Sequence, residues 1–97
     1  MYKNSCYLSK QEFIESVLKM EENLTIMLEC EEGSTEKMEF MRVPFNGGVI
    51  LYNSPMSNEV GILQDDGLGS CEENIEVLFD TLEQYYYTPF VEWNQTN

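Results

Sequence analysis

The chain has 97 residues, a length that suits a single domain with one hydrophobic core. It carries 18 Asp and Glu residues against 5 Lys and Arg residues and contains no His, so its formal net charge is −13. This balance argues against direct binding to nucleic acid or to an anionic membrane, because both need a basic surface. The lack of His removes the commonest general base and zinc ligand. A hydrophobic content of 42% is too high for a disordered acidic tail, so we expect a folded domain with a negative surface.

The first predicted helix begins after Ser9. Ser9 and Glu12 have the spacing of a capping box, in which each side chain accepts a hydrogen bond from the backbone N–H of the other residue. Hydrophobic residues then recur along one face of the helix, and these are Phe13, Ile14, Val17, Leu18 and Met20. This pattern predicts a helix that ends near Asn23.

Three to four strands are predicted after the first helix. The candidate strands are residues 24–30, 37–43, 49–52 and, as a shorter candidate, 60–64. Turn signals separate the first three, with Gly33 in one turn and an Asn-Gly-Gly sequence at residues 46–48 in the next. With a helix at each end, this order predicts one acidic α+β domain over residues 1–97. Its core element is a small antiparallel sheet of three to four strands, flanked by an N-terminal and a C-terminal helix (α-β-β-β-(β)-α).

The second predicted helix begins after Ser70, which forms another capping-box pattern with Glu73. It is predicted to continue to Tyr87, because Pro89 follows shortly afterwards. Its buried face is predicted to consist of Ile75, Leu78, Phe79, Leu82 and Tyr86. The charged residues of this helix are all acidic, and residues 43–97 contain nine acidic residues and no Lys or Arg. Surfaces with both signs of charge are the norm, so this stretch calls for an explanation.

Four of the acidic residues follow one another along one side of the second helix, at offsets of four, four and three. This acidic row consists of Glu72, Glu76, Asp80 and Glu83. Because a helix rises about 1.5 Å per residue, neighbouring carboxylates are roughly 4.5 to 6 Å apart along the axis. Phosphates along a nucleic-acid strand have a comparable spacing of about 3.4 Å. The row therefore predicts either a surface that imitates phosphates or an ordinary solvated helix face.

Further candidate partner-binding residues flank the acidic row, and these are Asp65, Asp66, Glu73, Tyr85 and Tyr87. The acidic loop lacks the ligand spacing of an EF-hand, so we expect neither a metal ion nor another cofactor. The tyrosines are candidates because aromatic residues are enriched at the energetic centres of interfaces. No base is available to activate Cys71, and carboxylates come close together by chance in so acidic a chain. We therefore expect no enzymatic activity.

The three cysteines, Cys6, Cys30 and Cys71, are odd in number and widely spaced, which is typical of free thiols in a reducing compartment. The N-terminal residues show no signal-peptide pattern. No apolar run approaches the length of a membrane span. These patterns predict a cytoplasmic protein.

The order of predicted elements and the acidity of the chain resemble those of some small anti-CRISPR proteins of phages and other mobile elements. Several of these act as nucleic-acid mimics. The inhibitors of CRISPR nucleases among them place Asp and Glu side chains in the nuclease pocket that reads the short duplex motif of the target DNA. The resemblance covers nearly the whole chain and transfers no individual residue. It implies a protein inhibitor in the host-cell cytoplasm, whose partner is a guide-loaded CRISPR nuclease with arginines in a positively charged channel.

Two other functions fit the same sequence. An immunity protein or antitoxin that neutralises a basic nuclease toxin would use the same electrostatic attraction. A plain protein-interaction subunit or homodimer would instead associate through apolar contacts of Tyr85, Tyr87 and Trp93. Strong salt dependence of binding is expected for the inhibitor and the immunity protein, and weak salt dependence for the apolar interface.

Overall fold

The computed structural model describes residues 2–31, 33–44 and 48–95, and it describes the side chains of residues 6–31, 33–44 and 48–91. The elements in chain order are β1 (Tyr2–Tyr7), α1 (Lys10–Leu18), β2 (Leu24–Glu29), β3 (Thr35–Val43), β4 (Val49–Asn53), β5 (Val60–Leu63), α2 (Cys71–Gln84) and β6 (Thr88–Gln95). Within this part of the chain, six strands form one sheet in the order β1-β6-β2-β3-β4-β5. Every neighbouring pair is antiparallel. The fold is therefore α+β, as predicted.

The predicted number of strands is wrong, because the two outer segments of the chain also form strands. β1 pairs with β6 from Tyr2 opposite Gln95 to Tyr7 opposite Phe90. β6 in turn pairs with β2, so it lies inside the sheet. The prediction placed a helix at each end of the domain and no strand before the first helix or after the second. The four candidate strands between the helices are confirmed as β2 to β5 with small shifts of their ends. The predicted turn at residues 46–48 lies largely outside the described residues.

Both helices begin at the predicted capping boxes. Ser9 Oγ accepts a hydrogen bond from the Glu12 N–H at 3.2 Å, and Glu12 Oε1 accepts one from the Ser9 N–H at 2.9 Å. Ser70 and Glu73 make the equivalent pair at the start of α2, with both distances 3.1 Å. These bonds satisfy N–H groups that the first turn of a helix leaves without partners. The two helix starts are thus fixed by short-range interactions.

The end of α1 is fixed by a residue from the sheet. α1 ends at Leu18, earlier than the predicted end near Asn23, and its last turn contains no basic residue. The guanidinium of Arg42 on β3 donates to the carbonyl of Leu18 at 2.8 Å and to that of Met20 at 3.1 Å. A cation here satisfies orphan carbonyls and complements the negative end of the helix dipole. Arg42 is thereby committed to the fold.

The helices pack together on one face of the sheet and bury one apolar core. Phe13 of α1 is fully buried and meets two other rings edge to face, Phe40 of β3 at 6.1 Å and Phe79 of α2 at 5.5 Å between centroids. Each such side chain contributes roughly 1.5 to 3 kcal/mol through burial. Four of the five residues predicted for the buried face of α2 are buried, namely Ile75, Leu78, Phe79 and Leu82. α2 is therefore packed against the core by one face, with its other side open to solvent.

The fifth residue, Tyr86, is exposed, so its predicted place in the core is wrong. α2 ends at Gln84 rather than at Tyr87, and Tyr86 has a left-handed backbone with φ of 62°. The Tyr86 N–H donates to the Glu83 carbonyl at 3.0 Å, and the Tyr87 N–H donates to the Leu82 carbonyl at 2.9 Å. This is the Schellman arrangement of a helix C-terminus. The reversal of the chain turns Tyr86 outward and turns Tyr87 toward the core, where it is half-buried.

Candidate partner-binding surface

The acidic row lies on the solvent-facing side of α2. Glu72, Glu76 and Glu83 are exposed and Asp80 is half-exposed, while the buried face of the helix packs on the core. None of the four carboxylates accepts a hydrogen bond from another described residue of the fold other than Lys10. The structure therefore brings the four predicted residues together on one surface. Apart from the contact of Lys10 with Glu76 and Asp80, their negative charges face solvent.

Lys10, at the start of α1, is the one cation that the described part of the chain places against the acidic row. Its Nζ lies 2.8 Å from Asp80 Oδ1 and 3.6 Å from Glu76 Oε2. The hydrogen bond to Asp80 raises the pKa of Lys10 above its ordinary value. Sequence reasoning missed this contact because the two helices are far apart along the chain. The row keeps a net negative charge, since one ammonium group contacts two of its four carboxylates.

The carboxylates of the loop between β5 and α2 have a different role, because they accept backbone hydrogen bonds. Asp66 Oδ1 accepts from the Leu68 N–H at 2.8 Å and from the Gly69 N–H at 2.9 Å, which closes a tight turn. Asp65 Oδ1 accepts from the Cys71 N–H in the first turn of α2. We call Asp65 and Asp66 the loop carboxylates. Sequence reasoning named them as partner-binding candidates and missed their part in holding the loop. Glu73 is likewise engaged in the capping box.

Tyrosines and carboxylates meet at the other end of α2. Tyr85 and Tyr86 are exposed, and the Glu36 carboxylate beside the half-buried Tyr87 raises the pKa of its hydroxyl. Tyr7 at the end of β1 donates a hydrogen bond to Glu29 Oε1. Of the two predicted tyrosines, Tyr85 is thus open to a partner and Tyr87 largely belongs to the fold. Trp93, the third aromatic residue of the apolar-interface alternative, lies outside the described side chains.

The described residues hold no group of three or more Cys, Asp and Glu side chains arranged to bind a metal ion. Cys71, at the start of α2, is partly buried, and its burial and the nearby Asp65 raise the pKa of its thiol. A raised pKa disfavours the reactive thiolate at neutral pH. Within the described residues, neither helix is long and apolar enough to cross a membrane.

Comparison of the chain with protein-family models, with curated proteins and with solved structures finds no match. The likeness to anti-CRISPR proteins therefore stays a prediction from charge and element order. That order also differs from the predicted one, because β1 precedes α1 and β6 follows α2.

Proposed function

We propose that the protein is an inhibitor that occupies the basic nucleic-acid groove of a nuclease or another nucleic-acid-binding enzyme by imitating phosphates. Its most specific form is an anti-CRISPR protein that blocks a guide-loaded CRISPR nuclease. The observation that carries this proposal is the acidic row on the open side of α2, which faces only one described cation, Lys10. The proposed partner is a basic protein, because nucleic acids and anionic membranes would repel this acidic surface.

The energetics of the acidic row favour a role in binding over a role in folding. Like charges three or four residues apart weaken a helix by a few tenths of a kcal/mol per pair. Of the four residues of the acidic row, only Glu72 lies in the first turn, where the helix dipole favours a carboxylate. A helix with its opposite face firmly buried tolerates this repulsion. Opposite a basic groove, the same charges speed the encounter and add attraction that weakens as salt rises.

The test is a DNA-cleavage assay with a guide-loaded CRISPR nuclease, into which the protein is titrated at low and at moderate salt. We expect stoichiometric inhibition that weakens as the salt concentration rises. The triple variant E76Q/D80N/E83Q keeps the shapes of the side chains and removes three charges from the acidic row. We expect it to lose inhibition by at least about tenfold, because each close charge pair at an interface contributes on the order of 1.5 kcal/mol or more.

The matched control is the triple variant E21Q/E22Q/E59Q, which removes three charges from exposed positions outside α2. Its net charge equals that of the row variant, so long-range attraction to a basic partner falls by a similar amount in both. We expect the control to inhibit nearly as well as the unmodified protein. Equal inhibition by the row variant and the unmodified protein would refute the acidic row as the binding surface. Circular dichroism and thermal melting of each variant verify that the fold is kept.

A second candidate is an immunity protein or antitoxin that neutralises a basic nuclease toxin. Exposed aromatic side chains at the end of the acidic row, Tyr85 and Tyr86, favour it because tight protein–protein interfaces use aromatic anchors. Its test is co-expression with a nuclease toxin encoded beside this chain. Rescue of growth, together with no inhibition of several CRISPR nucleases, would favour the immunity protein over the anti-CRISPR protein. An apolar interaction subunit would instead bind its partner with little dependence on salt.

A further inference from the structure

Tyr86 combines an unfavourable backbone with an exposed aromatic ring. Its φ of 62° lies in the left-handed region, and it holds the position of the Schellman motif that glycine usually occupies. The side chain is 66% exposed, so it adds little to the core in return. A residue kept in a disfavoured conformation with no gain in packing points to a role outside the fold.

The surroundings of Tyr86 are negative on both sides. Glu31 and Glu83 share one shallow depression with its ring, and Glu36 shares another with Tyr85 and Tyr86. The depressions lie at the C-terminal end of α2, where the helix dipole is negative and the last turn has no basic residue. An aromatic face flanked by carboxylates and carbonyl groups attracts a cation. The surface is thus complementary to a positively charged side chain.

We propose that Tyr86 receives an arginine side chain of a basic partner protein, which stacks on the phenol ring while Glu31 and Glu83 bind its N–H groups. Arginine suits this surface better than lysine, because its guanidinium is planar, stacks on aromatic rings and donates several hydrogen bonds at once. A second copy of this chain does not suit it, since two chains of charge −13 repel each other. The inference rests on the proposed function for the basic partner, and it adds the anchoring contact.

The test uses two peptides of equal length and charge, one with alternating Arg and Gly and one with alternating Lys and Gly. Isothermal titration calorimetry at low salt measures their affinity for the protein. We expect the arginine peptide to bind about threefold to fivefold more tightly than the lysine peptide, in line with a cation–π contact at an exposed site. The variant Y86G is expected to remove this preference, while Y86F is expected to keep most of it.

The same variant separates binding from folding, because Y86G relieves the left-handed strain. We expect its melting temperature to rise by about 4 °C while its affinity for the arginine peptide falls. The control L68S replaces a side chain that is 96% exposed in the β5–α2 loop, away from the tyrosines. It is expected to change neither peptide affinity. Because Y86G is expected to melt at a higher temperature, its loss of affinity would not result from unfolding.

The possible results decide between this inference and the wider proposal. The unmodified protein could bind the arginine and lysine peptides with equal affinity, and Y86G could bind them equally well. That result would overturn the arginine contact and leave only long-range attraction between the acidic protein and the basic peptides. A dimer in analytical ultracentrifugation that Y86G abolishes would also overturn it, by assigning the ring to a second copy. In the cleavage assay, Y86G could inhibit fully while E76Q/D80N/E83Q loses inhibition. That result would reject the Tyr86 anchor and keep the acidic row as the binding surface. An arginine preference without any nuclease inhibition would reject the CRISPR partner and keep the anchor.

Discussion

The loop carboxylates and the acidic row are both acidic and, apart from the half-exposed Asp80, exposed, yet they differ in what their oxygen atoms contact. Asp65 and Asp66 accept three backbone hydrogen bonds in the turn that leads into α2. Within the described residues, the carboxylates of the acidic row accept none from the backbone, and Lys10 is their one ion-pair partner. The loop therefore needs an acceptor oxygen, whereas the row contributes charge. Acidity alone does not distinguish a structural carboxylate from one that is free to bind a partner.

The largest effect on stability is expected from removing the acceptor oxygens of the loop. The double variant D65A/D66A removes the side-chain acceptors of three backbone N–H groups, and the Gly69 N–H keeps only a long contact of 3.4 Å to the Asp66 carbonyl. This is expected to cost about 2 kcal/mol and lower the melting temperature by about 10 °C. D65N/D66N removes the same two charges but keeps an acceptor oxygen at each position. We expect it to melt within about 3 °C of the unmodified protein. Equal destabilisation of both variants would mean that charge, and not the acceptor, holds the loop.

A smaller effect, of opposite character, is expected from the acidic row. The double variant E76Q/E83Q again removes two charges, and it keeps the contact between Lys10 and Asp80. Loss of like-charge repulsion along α2 is expected to leave stability unchanged or raise it, within about 0.5 kcal/mol. Urea denaturation gives the free energy of unfolding for this variant and for D65N/D66N at equal net charge. A marked loss of stability in E76Q/E83Q would assign the row to the fold and weaken the binding proposal.

Short-range sequence patterns predict some elements of this fold and miss others. The starts of both helices follow from capping boxes that lie within four residues, and the strands between the helices follow from alternation over a few residues. β1 and β6 could not be predicted in this way, because both are formed by pairing between distant parts of the chain, β1 with β6 and β6 also with β2. Pro89, from which the end of the second helix was predicted, instead lies near the start of β6, where a strand tolerates proline.

The candidate site shows the same division between local and distant interactions. Helical spacing correctly places the four carboxylates of the acidic row on one side of α2. It gives no sign of Lys10, which reaches the row from α1. Tyr86 fits the periodic pattern of the buried face, and only the early reversal of the chain after Gln84 turns it outward. The hydrophobic periodicity of the second helix does not show that Tyr86 occupies a backbone position that favours glycine.

The smallest effect is expected at Lys10, which links the acidic row to the fold. Its hydrogen bond with Asp80 raises the pKa of Lys10 above the ordinary value of 10.5. A raised folded-state pKa means that the stabilisation is fully present below pH 10.5 and disappears as the pH rises through the folded-state value. The difference in unfolding free energy between the unmodified protein and K10Q should therefore be constant up to that pH and shrink above it. Tyr7, Tyr52 and Tyr87 also have raised pKa values, but they titrate equally in both proteins.

The control for this pH series is K19Q, which removes an exposed lysine that makes no ion pair with a described residue. Its difference from the unmodified protein should stay flat through the same alkaline range. A flat difference for K10Q as well would show that the ammonium group does not stabilise the packing of α1 on α2. The acidic row would then carry its full charge without compensation inside the fold. In that case a basic partner would supply the first strong counter-charge that these carboxylates meet, and the proposed binding should depend on salt even more steeply.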